Sequence, residues 1–277
     1  MITVNKDGII NLWQKTFGDT REYVESFIEA FSDKAEFLTK EASSEVISML
    51  CMIDCTMAVD SKEYKGRYIY ACATDEDYKK RGLITELLDE ARIKAEKDDC
   101  DFLVLVPAND ELFDFYEKRG YSKFFKVKEI EVSSKILKIL SKDGIAETSA
   151  DAKAINEMRK NLLTKRPNIL WSDEQTEFVT KAYSLDNTRV LYSKGIGYAF
   201  LREENKTVYV DEICAAAEDF CKMLGLIEKN TEAENYCFSV PADCPFTSDN
   251  FTIKDKGMIL PLKNKINSDG YIGLVME

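Results

Sequence analysis

The chain has 277 residues, 45% of them hydrophobic, with 38 basic against 50 acidic side chains and a formal net charge of −12. That composition supports a full globular core rather than disorder, and the acidic field repels nucleic acid and anionic membranes while favouring cations such as amines. Histidine is absent, which excludes Ser-His-Asp and Cys-His catalysis and most zinc sites, so proton transfer falls to carboxylates, Tyr, Lys, Cys, a chain terminus or water.

No apolar run reaches the ~18 residues of a membrane-spanning helix, and residues 1–17 lack a signal-peptide core. A cytoplasmic protein is expected. The cysteines, at Cys51, Cys55, Cys72, Cys100, Cys214, Cys221, Cys237 and Cys244, form no Cys-x-x-Cys pair. They read as reduced, buried thiols, with no metal site; a disulfide framework or a zinc site is the alternative.

In chain order, the first clear helix is predicted after Gly18. Asp19 and Glu22 have capping-box spacing, and Tyr23, Val24, Phe27, Ile28 and Phe31 share a face. Strands are predicted at 36–40, 45–57 and 67–74, the last two joined by a charged turn at 60–65. A helix then begins near Ile84 and carries Leu87, Leu88, Ala91 and Ala95. The run 101–106 is an apolar strand suited to a buried, central place. A helix with Leu112, Phe113, Phe115 and Tyr116 follows, and Gly120 stands where a left-handed cap belongs. Residues 121–132 read as one or two closing strands, and 133–143 as a mixed connector.

The second half repeats this order. Helices are predicted at 152–162 and 173–183, strands at 189–193, 197–202 and 207–214, a helix at 217–228 and a strand at 236–240. The last residues, 271–277, look like a final buried strand. The stretch 68–74 has its counterpart at 209–215, and Val106-Pro107-Ala108 reappears as Val240-Pro241-Ala242. Between these landmarks the second copy is shorter by the size of the charged 75–81 loop. The chain is therefore expected to be of the α/β (α+β) class, with a mixed, mostly antiparallel sheet flanked by helices. Two tandem units are expected: 1–132, a connector at 133–144, and 145–277.

The chemistry is concentrated at 78–85. The chain leaves a strand, turns at Gly82 and opens a helix, whose first amides and positive dipole end are free for an anion. Lys79, Lys80 and Arg81 put positive charge there in an otherwise acidic protein, and Gly82 lets the backbone approach a bound group. These are the parts of a pyrophosphate cradle; a surface turn with solvated cations is the plainer reading.

The same run, Tyr78-Lys79-Lys80-Arg81-Gly82-Leu83-Ile84-Thr85, resembles the acetyl-CoA signature of the GNAT superfamily of N-acetyltransferases. Lys79 stands at its first basic position, Gly82 at its first glycine, and Ile84 in place of its second small residue. Asn109, Leu112, Phe115-Tyr116 and Gly120-Tyr121 resemble the family's second motif. The resemblance implies a GNAT fold, acetyl-CoA as acyl donor and direct transfer to the amine of a small molecule or peptide. It also implies that Cys72, Ala73 and Thr74 pair with pantetheine through their backbone, and that Lys79 to Thr85 hold the diphosphate. Asn109 would touch the pantetheine or diphosphate arm, and Tyr116 would protonate the departing thiolate. Cys72 as a nucleophile is not needed for direct transfer.

The layout is similar to tandem GNAT proteins whose second copy has lost its cofactor loop, and less similar to the longer enhanced-intracellular-survival acetyltransferases. For the general base, a carboxylate acting through water and the terminal carboxylate of Glu277 are both open, and Asp211 and Glu212 are candidates to line an acceptor cleft. An inactive acyl-CoA-binding or protein-interaction module, which Ile84 favours, and an aminoacyl transferase of the peptidoglycan type are the other readings. The acidity argues against the charged RNA that the latter binds. Oligomeric state is open.

Overall fold

The computed structural model describes residues 5–59, 62–185, 188–263, 266 and 268–275. Two compact units emerge, and they interleave along the chain. Unit 1 comprises Met1–Met57, Glu63–Lys123 and Gly257–Asn267; unit 2 comprises Ala58–Lys62, Phe124–Lys256 and Ser268–Glu277. A division at residues 132–145 therefore does not describe the packing, because a strand near the C-terminus belongs to the first unit. Among the described residues no helix is long and apolar enough to cross a membrane.

Unit 1 opens with a helix that the sequence reading passed over, α1 (Lys6–Phe17), N-capped by the Asn5 side chain and ended by Gly18. Its buried Trp13 donates to the Asp19 carboxylate at 2.7 Å. Asp19 is thus not the cap of the next helix. In α2 (Arg21–Ala30) that place is taken by Thr20, whose hydroxyl accepts from the Tyr23 amide at 3.2 Å. Trp13 packs against Phe27 and Tyr70 with ring centroids 5.1 and 5.6 Å apart.

Strands β1 (Ala35–Ala42) and β2 (Glu45–Val59) pair antiparallel, and β3 (Lys62–Thr74) lies next to β2. Residues 60 and 61, part of the expected charged turn, lie outside the described residues; 62–65 are already strand. Helix α3 (Leu83–Lys97) leads into β4 (Phe102–Leu105), which is buried throughout and parallel to β3. Helix α4 (Asp110–Glu117) follows. The antiparallel partner of β4 is the segment Met258–Pro261, from far along the chain. Leu87, Leu88, Ala91 and Ala95 of α3, Leu103 and Leu105 of β4, Phe113 and Tyr116 of α4, and Met258 form one core.

The residues after α4 make a single strand, β5 (Ser122–Ser133), and in unit 2 it pairs antiparallel with a strand more than a hundred residues on. The expected connector is largely a helix, α5 (Ser134–Leu140), with Leu137 fully buried. Then come α6 (Ala152–Leu162), β6 (Asn168–Leu170) and α7 (Asp173–Leu185). The meander β7 (Thr188–Ser193), β8 (Gly197–Glu204) and β9 (Thr207–Ala215) is antiparallel. Helix α8 (Phe220–Lys229) leads to β10 (Asn235–Pro241), parallel to β9 and antiparallel to β5. Each unit thus has three strands in series, a helix, a parallel strand, and an antiparallel neighbour drawn from the other half of the chain. Strand β11 (Phe251–Pro261) contributes its end, Met258–Pro261, to unit 1.

Among the described residues of the C-terminal segment, 271–275, there is no strand, and 276 and 277 of the expected strand lie outside the described residues. Tyr271 makes a single bridge to Asn168, and Tyr271, Ile272, Leu274 and Val275 are buried one by one. Two side-chain anchors account for this: the Tyr271 hydroxyl donates to Glu212 at 3.0 Å, and the Trp171 indole donates to the Gly273 carbonyl at 2.9 Å. Glu212, expected at a cleft, is fully buried, and it accepts from Arg159 and Tyr198 as well. Asp211 is paired with Arg202 at 3.2 Å.

Two outcomes are expected. Arg159→Ala leaves the Glu212 charge without its cation in a dry interior and should lower stability by ~3–5 kcal/mol, measured by urea unfolding; a loss below about 1 kcal/mol would show the pair to be dispensable. A chain ending at residue 132 lacks the strand that covers β4 and leaves an apolar edge bare. It should aggregate, and a soluble monomer with a cooperative melt would contradict the pairing described.

Candidate functional site

The parallel pairing of β3 with β4 is short. It covers Gly66 with Phe102, Arg67 with Leu103 and Tyr68 with Val104, and ends there. Gly66 permits it, since a Cβ at that position would come within 2.1 Å of the Phe102 ring. Beyond Tyr68 the strands part. Ala71 takes a left-handed conformation at φ 50°, a kink that an alanine adopts only under constraint. The end of β3 stays tied to β2 instead. The Asp75 amide donates to the Ile47 carbonyl at 2.9 Å. Ser48, fully buried on β2, donates to the Ala73 carbonyl at 3.0 Å and lies 2.8 Å from the Thr74 hydroxyl. Cys72, Ala73 and Thr74 therefore sit on the splayed part of the strand, with an edge that β4 does not cover.

After Thr74 the chain makes a 3-10 turn at Glu76–Tyr78, started by the Asp75 carboxylate, which accepts from the Asp77 amide at 3.1 Å. Lys15 of α1 holds that carboxylate at 2.6 Å, and this hydrogen bond keeps it below the usual carboxylate range. The loop then passes through two left-handed residues, Lys80 at φ 63° and Gly82 at φ 82°. Gly82 is the N-cap of α3 and offers no side chain to it, so the first amides of the helix, from Leu83 to Thr85, have no side-chain cap. A Cβ on Gly82 would meet no atom within 4 Å, so the space over the corner is open. Ile84 is half-buried and packs into the core of unit 1, so its bulk is directed inward.

The basic cluster is partly engaged by its own loop. Lys79 pairs with Glu76, and the Arg81 guanidinium donates to the Asp77 carbonyl at 2.8 Å while lying 4.7 Å over the Tyr78 ring. A further cation, which the sequence reading did not single out, stands beside the same helix turn. Arg119 donates to the Thr85 hydroxyl through Nε at 3.1 Å and through Nη2, and to the Phe115 carbonyl at 2.6 Å. Its guanidinium is stacked 3.5 Å over the Phe115 ring. No spacing rule would have selected it, because its partners come from two helices.

Asn109 caps α4, its side-chain oxygen accepting from the Leu112 amide at 3.2 Å, which leaves the Nδ2 amide on an exposed side chain for a ligand. On the buried face of α4, Tyr116 lies in the same core cluster as Cys72, which belongs to the splayed end of β3. Burial raises the Tyr116 phenol well above its ordinary value and pushes the Cys72 thiol up to about 12. Both groups therefore carry their protons at neutral pH, which suits Tyr116 to give a proton and leaves Cys72 a poor nucleophile. The structure thus gathers Cys72, Ala73, Thr74, the 79–85 corner and Tyr116 in one unit. An anion can rest on the α3 amides, an extended arm can pair with the splayed strand, and a protonated phenol lies in the core cluster against which Cys72 packs.

In unit 2, β9 passes to α8 through Ala216-Ala217-Glu218-Asp219. This link has no glycine and no cation, so nothing equivalent to the corner at Gly82 is built there.

Residues 4–124 match the family model of the acetyltransferase (GNAT) domain. No curated protein matches the sequence. Among solved structures, the chain is similar to a conserved protein from Enterococcus faecalis V583 described as a probable N-acyltransferase. There the TM-score is 0.78 at 13% identity, over 93% of this chain and 70% of that one. A GCN5-related N-acetyltransferase from Kribbella flavida matches with a TM-score of 0.72 at 14% identity, over 91% of this chain and 67% of that one. Eis1 from Mycobacterium abscessus matches with a TM-score of 0.70 at 11% identity, over 92% and 70%. At such identities the likeness is one of fold. It is the segment holding the parted strands and the corner at Gly82, residues 4–124, that matches the model of the GNAT acetyltransferase domain.

Proposed function

We propose that the protein is an N-acyltransferase that moves an acetyl group from acetyl-CoA directly to the primary amine of a small molecule or peptide. The observation that carries this reading is the parting of β3 from β4 over a core that holds a protonated, buried tyrosine. The pantetheine arm of the donor pairs with the backbone of Cys72, Ala73 and Thr74. Its diphosphate rests on the amides of Leu83, Ile84 and Thr85, with Lys79, Lys80 and Arg81 around it, and Gly82 gives it room. Asn109 donates from Nδ2 to the arm. The amine attacks the thioester carbonyl, the C–S bond breaks, and Tyr116 gives its proton to the leaving sulfur. Positioning of the two reactants supplies most of the rate.

The base that deprotonates the amine is not assigned. Glu277 lies outside the described residues, and Glu212 is sealed in an ion pair. In this reading unit 1 binds the donor, unit 2 is a degenerate second copy, the acceptor is an amine rather than nucleic acid or membrane, no metal is needed, and the protein works in the cytoplasm. The inward packing of Ile84 leaves the backbone amides clear, which supports donor binding in this reading.

Thiol release from acetyl-CoA over a panel of amines tests the activity, and no release with any amine would favour the binding module. Tyr116→Phe should lower kcat by ~10²–10⁴ with little change in CoA affinity; full turnover in that variant would remove Tyr116 as the acid. Reversing both Lys79 and Arg81 to Glu should weaken CoA binding about tenfold or more, read by calorimetry. Unchanged affinity would mean that the diphosphate lies elsewhere.

A further inference from the structure

Beside the first turn of α3, where the transfer reading puts the donor's diphosphate, stands a cation that does not come from the 79–81 loop. Arg119 leaves the end of α4 and crosses to α3. There Nε and Nη2 both donate to the Thr85 hydroxyl, while Nη1 donates back to the Phe115 carbonyl. Thr85 is the third residue of α3, so the guanidinium lies within the turn whose first amides have no side-chain cap. One of its faces is closed by the Phe115 ring at 3.5 Å. A guanidinium has a further N–H on each of Nη1 and Nη2, and these two have no partner among the described residues. Arg119 and Phe115 are both half-buried, so the stacked pair still meets solvent.

The charge of Arg119 is unmatched. Arg21, Arg67, Arg92, Arg159, Arg166 and Arg202 each pair with a carboxylate. Among the described residues the exceptions are Arg119, Arg81 at the same turn, and Arg189, exposed on β7 of unit 2. In a chain with 50 acidic side chains against 38 basic ones, a carboxylate is the easy partner to find. Asp89, one turn along α3, is the acid whose field reaches Arg119, and it makes no ion pair with it. The placement is also unfavourable in itself, because the first turn of a helix is the positive pole of its dipole and repels a cation. The bond to Phe115 alone would serve the C-terminal end of α4, whose carbonyls attract a cation. The bonds to Thr85 instead carry the group across to the wrong pole of α3. An anion resting on the α3 amides removes the repulsion and supplies the missing counter-charge. We propose that Arg119 binds a phosphate of the donor's nucleotide end and so sets a preference for CoA over thioesters that lack one. Phe115 and Thr85 hold the guanidinium in place, so little side-chain freedom is lost when the phosphate arrives. CoA carries phosphate in its diphosphate and on its ribose 3′-oxygen, and the two spare N–H groups suit the oxygens of either. The inference rests on the reading of the α3 corner as the donor site.

The test combines calorimetry on CoA and 3′-dephospho-CoA with kinetics on acetyl-CoA and acetyl-pantetheine, using the amine found active in the panel. Arg119→Ala should weaken CoA binding about tenfold or more and raise KM for acetyl-CoA in step, with kcat within about twofold. Acetyl-pantetheine, which has no phosphate, should be turned over equally well by variant and wild type. Arg119→Gln keeps a stem over Phe115 and a donor for Thr85 without the charge, and should bind CoA as weakly as the alanine variant. Arg119→Lys should bind it more tightly than either. A loss for CoA with dephospho-CoA unaffected assigns Arg119 to the 3′-phosphate, and an equal loss for both assigns it to the diphosphate. Three results would each overturn the proposal: an alanine variant whose CoA affinity stays within about twofold of wild type, a glutamine variant that binds as well as wild type, or turnover of acetyl-pantetheine that falls as far as that of acetyl-CoA. The last would make Arg119 a brace between α3 and α4. A wild-type chain that binds no CoA at all sinks the donor reading itself, a result distinct from these.

Discussion

The shortness of the β3–β4 pairing is the constraint on which the rest of the first unit turns. Two parallel strands that stayed together would satisfy each other's amides and carbonyls and leave nothing for an extended ligand. Here Phe102 packs against Gly66 at one end, while Ser48 and Ile47 hold the other end of β3 to β2. The kink at Ala71 takes up the difference. The splay is thus built from contacts on the far side of β3, and the open edge follows from them. Gly82 and Tyr116 acquire their meaning from that edge, since one lies at the exit of β3 and the other in the core against which Cys72 packs.

The two units share an order of elements but not a set of groups. In unit 2 the meander, helix and parallel strand recur around Leu224, Ile227, Phe238 and Val240. The turn into α8 lacks both the glycine and the cations that make the turn into α3 an anion site. What unit 2 has instead is a dry ionic centre, where Arg159 and Glu212 are closed over by Tyr198 and by Tyr271 from the C-terminal segment. Such a centre fixes the course of the last residues more than it adds to stability, because burying two charges costs nearly what their attraction returns.

Much of this was legible in the sequence where a periodic pattern coincided with a chemical one. Helix α3, the buried strand β4, helix α4 and the left-handed Gly120 followed from spacing alone. The resemblance of residues 78–85 and 109–121 to the GNAT motifs marked the segment that the family model also matches. What escaped the reading has specific causes. Strand β11 begins with Phe251, Thr252, Ile253 and Lys254, all exposed, and continues through Asp255 and Lys256, so it lacks the apolar run that marks a central strand. Asp19 was read as the cap of α2, but Trp13 claims its carboxylate and Thr20 caps the helix instead. Glu212 had the look of a strand-end carboxylate, and only the fold brings Arg159 to it from another element. The same holds for Arg119 on Thr85. Partnership between distant residues is not written in local spacing.

The exchange of closing strands has a consequence for how the protein is made. The inner edge of β4 is covered by Met258–Pro261, so after Leu105 has been synthesised its partner is still more than a hundred and fifty residues away. At a translation rate of roughly 5–20 residues per second, that edge waits on the order of ten to thirty seconds before its ladder can close. During this interval a nascent chain presents four apolar residues with unpaired backbone to its surroundings. The domain that comes first in the sequence is therefore the one whose sheet is completed last, and the nascent chain has to be guarded over that interval in the cell.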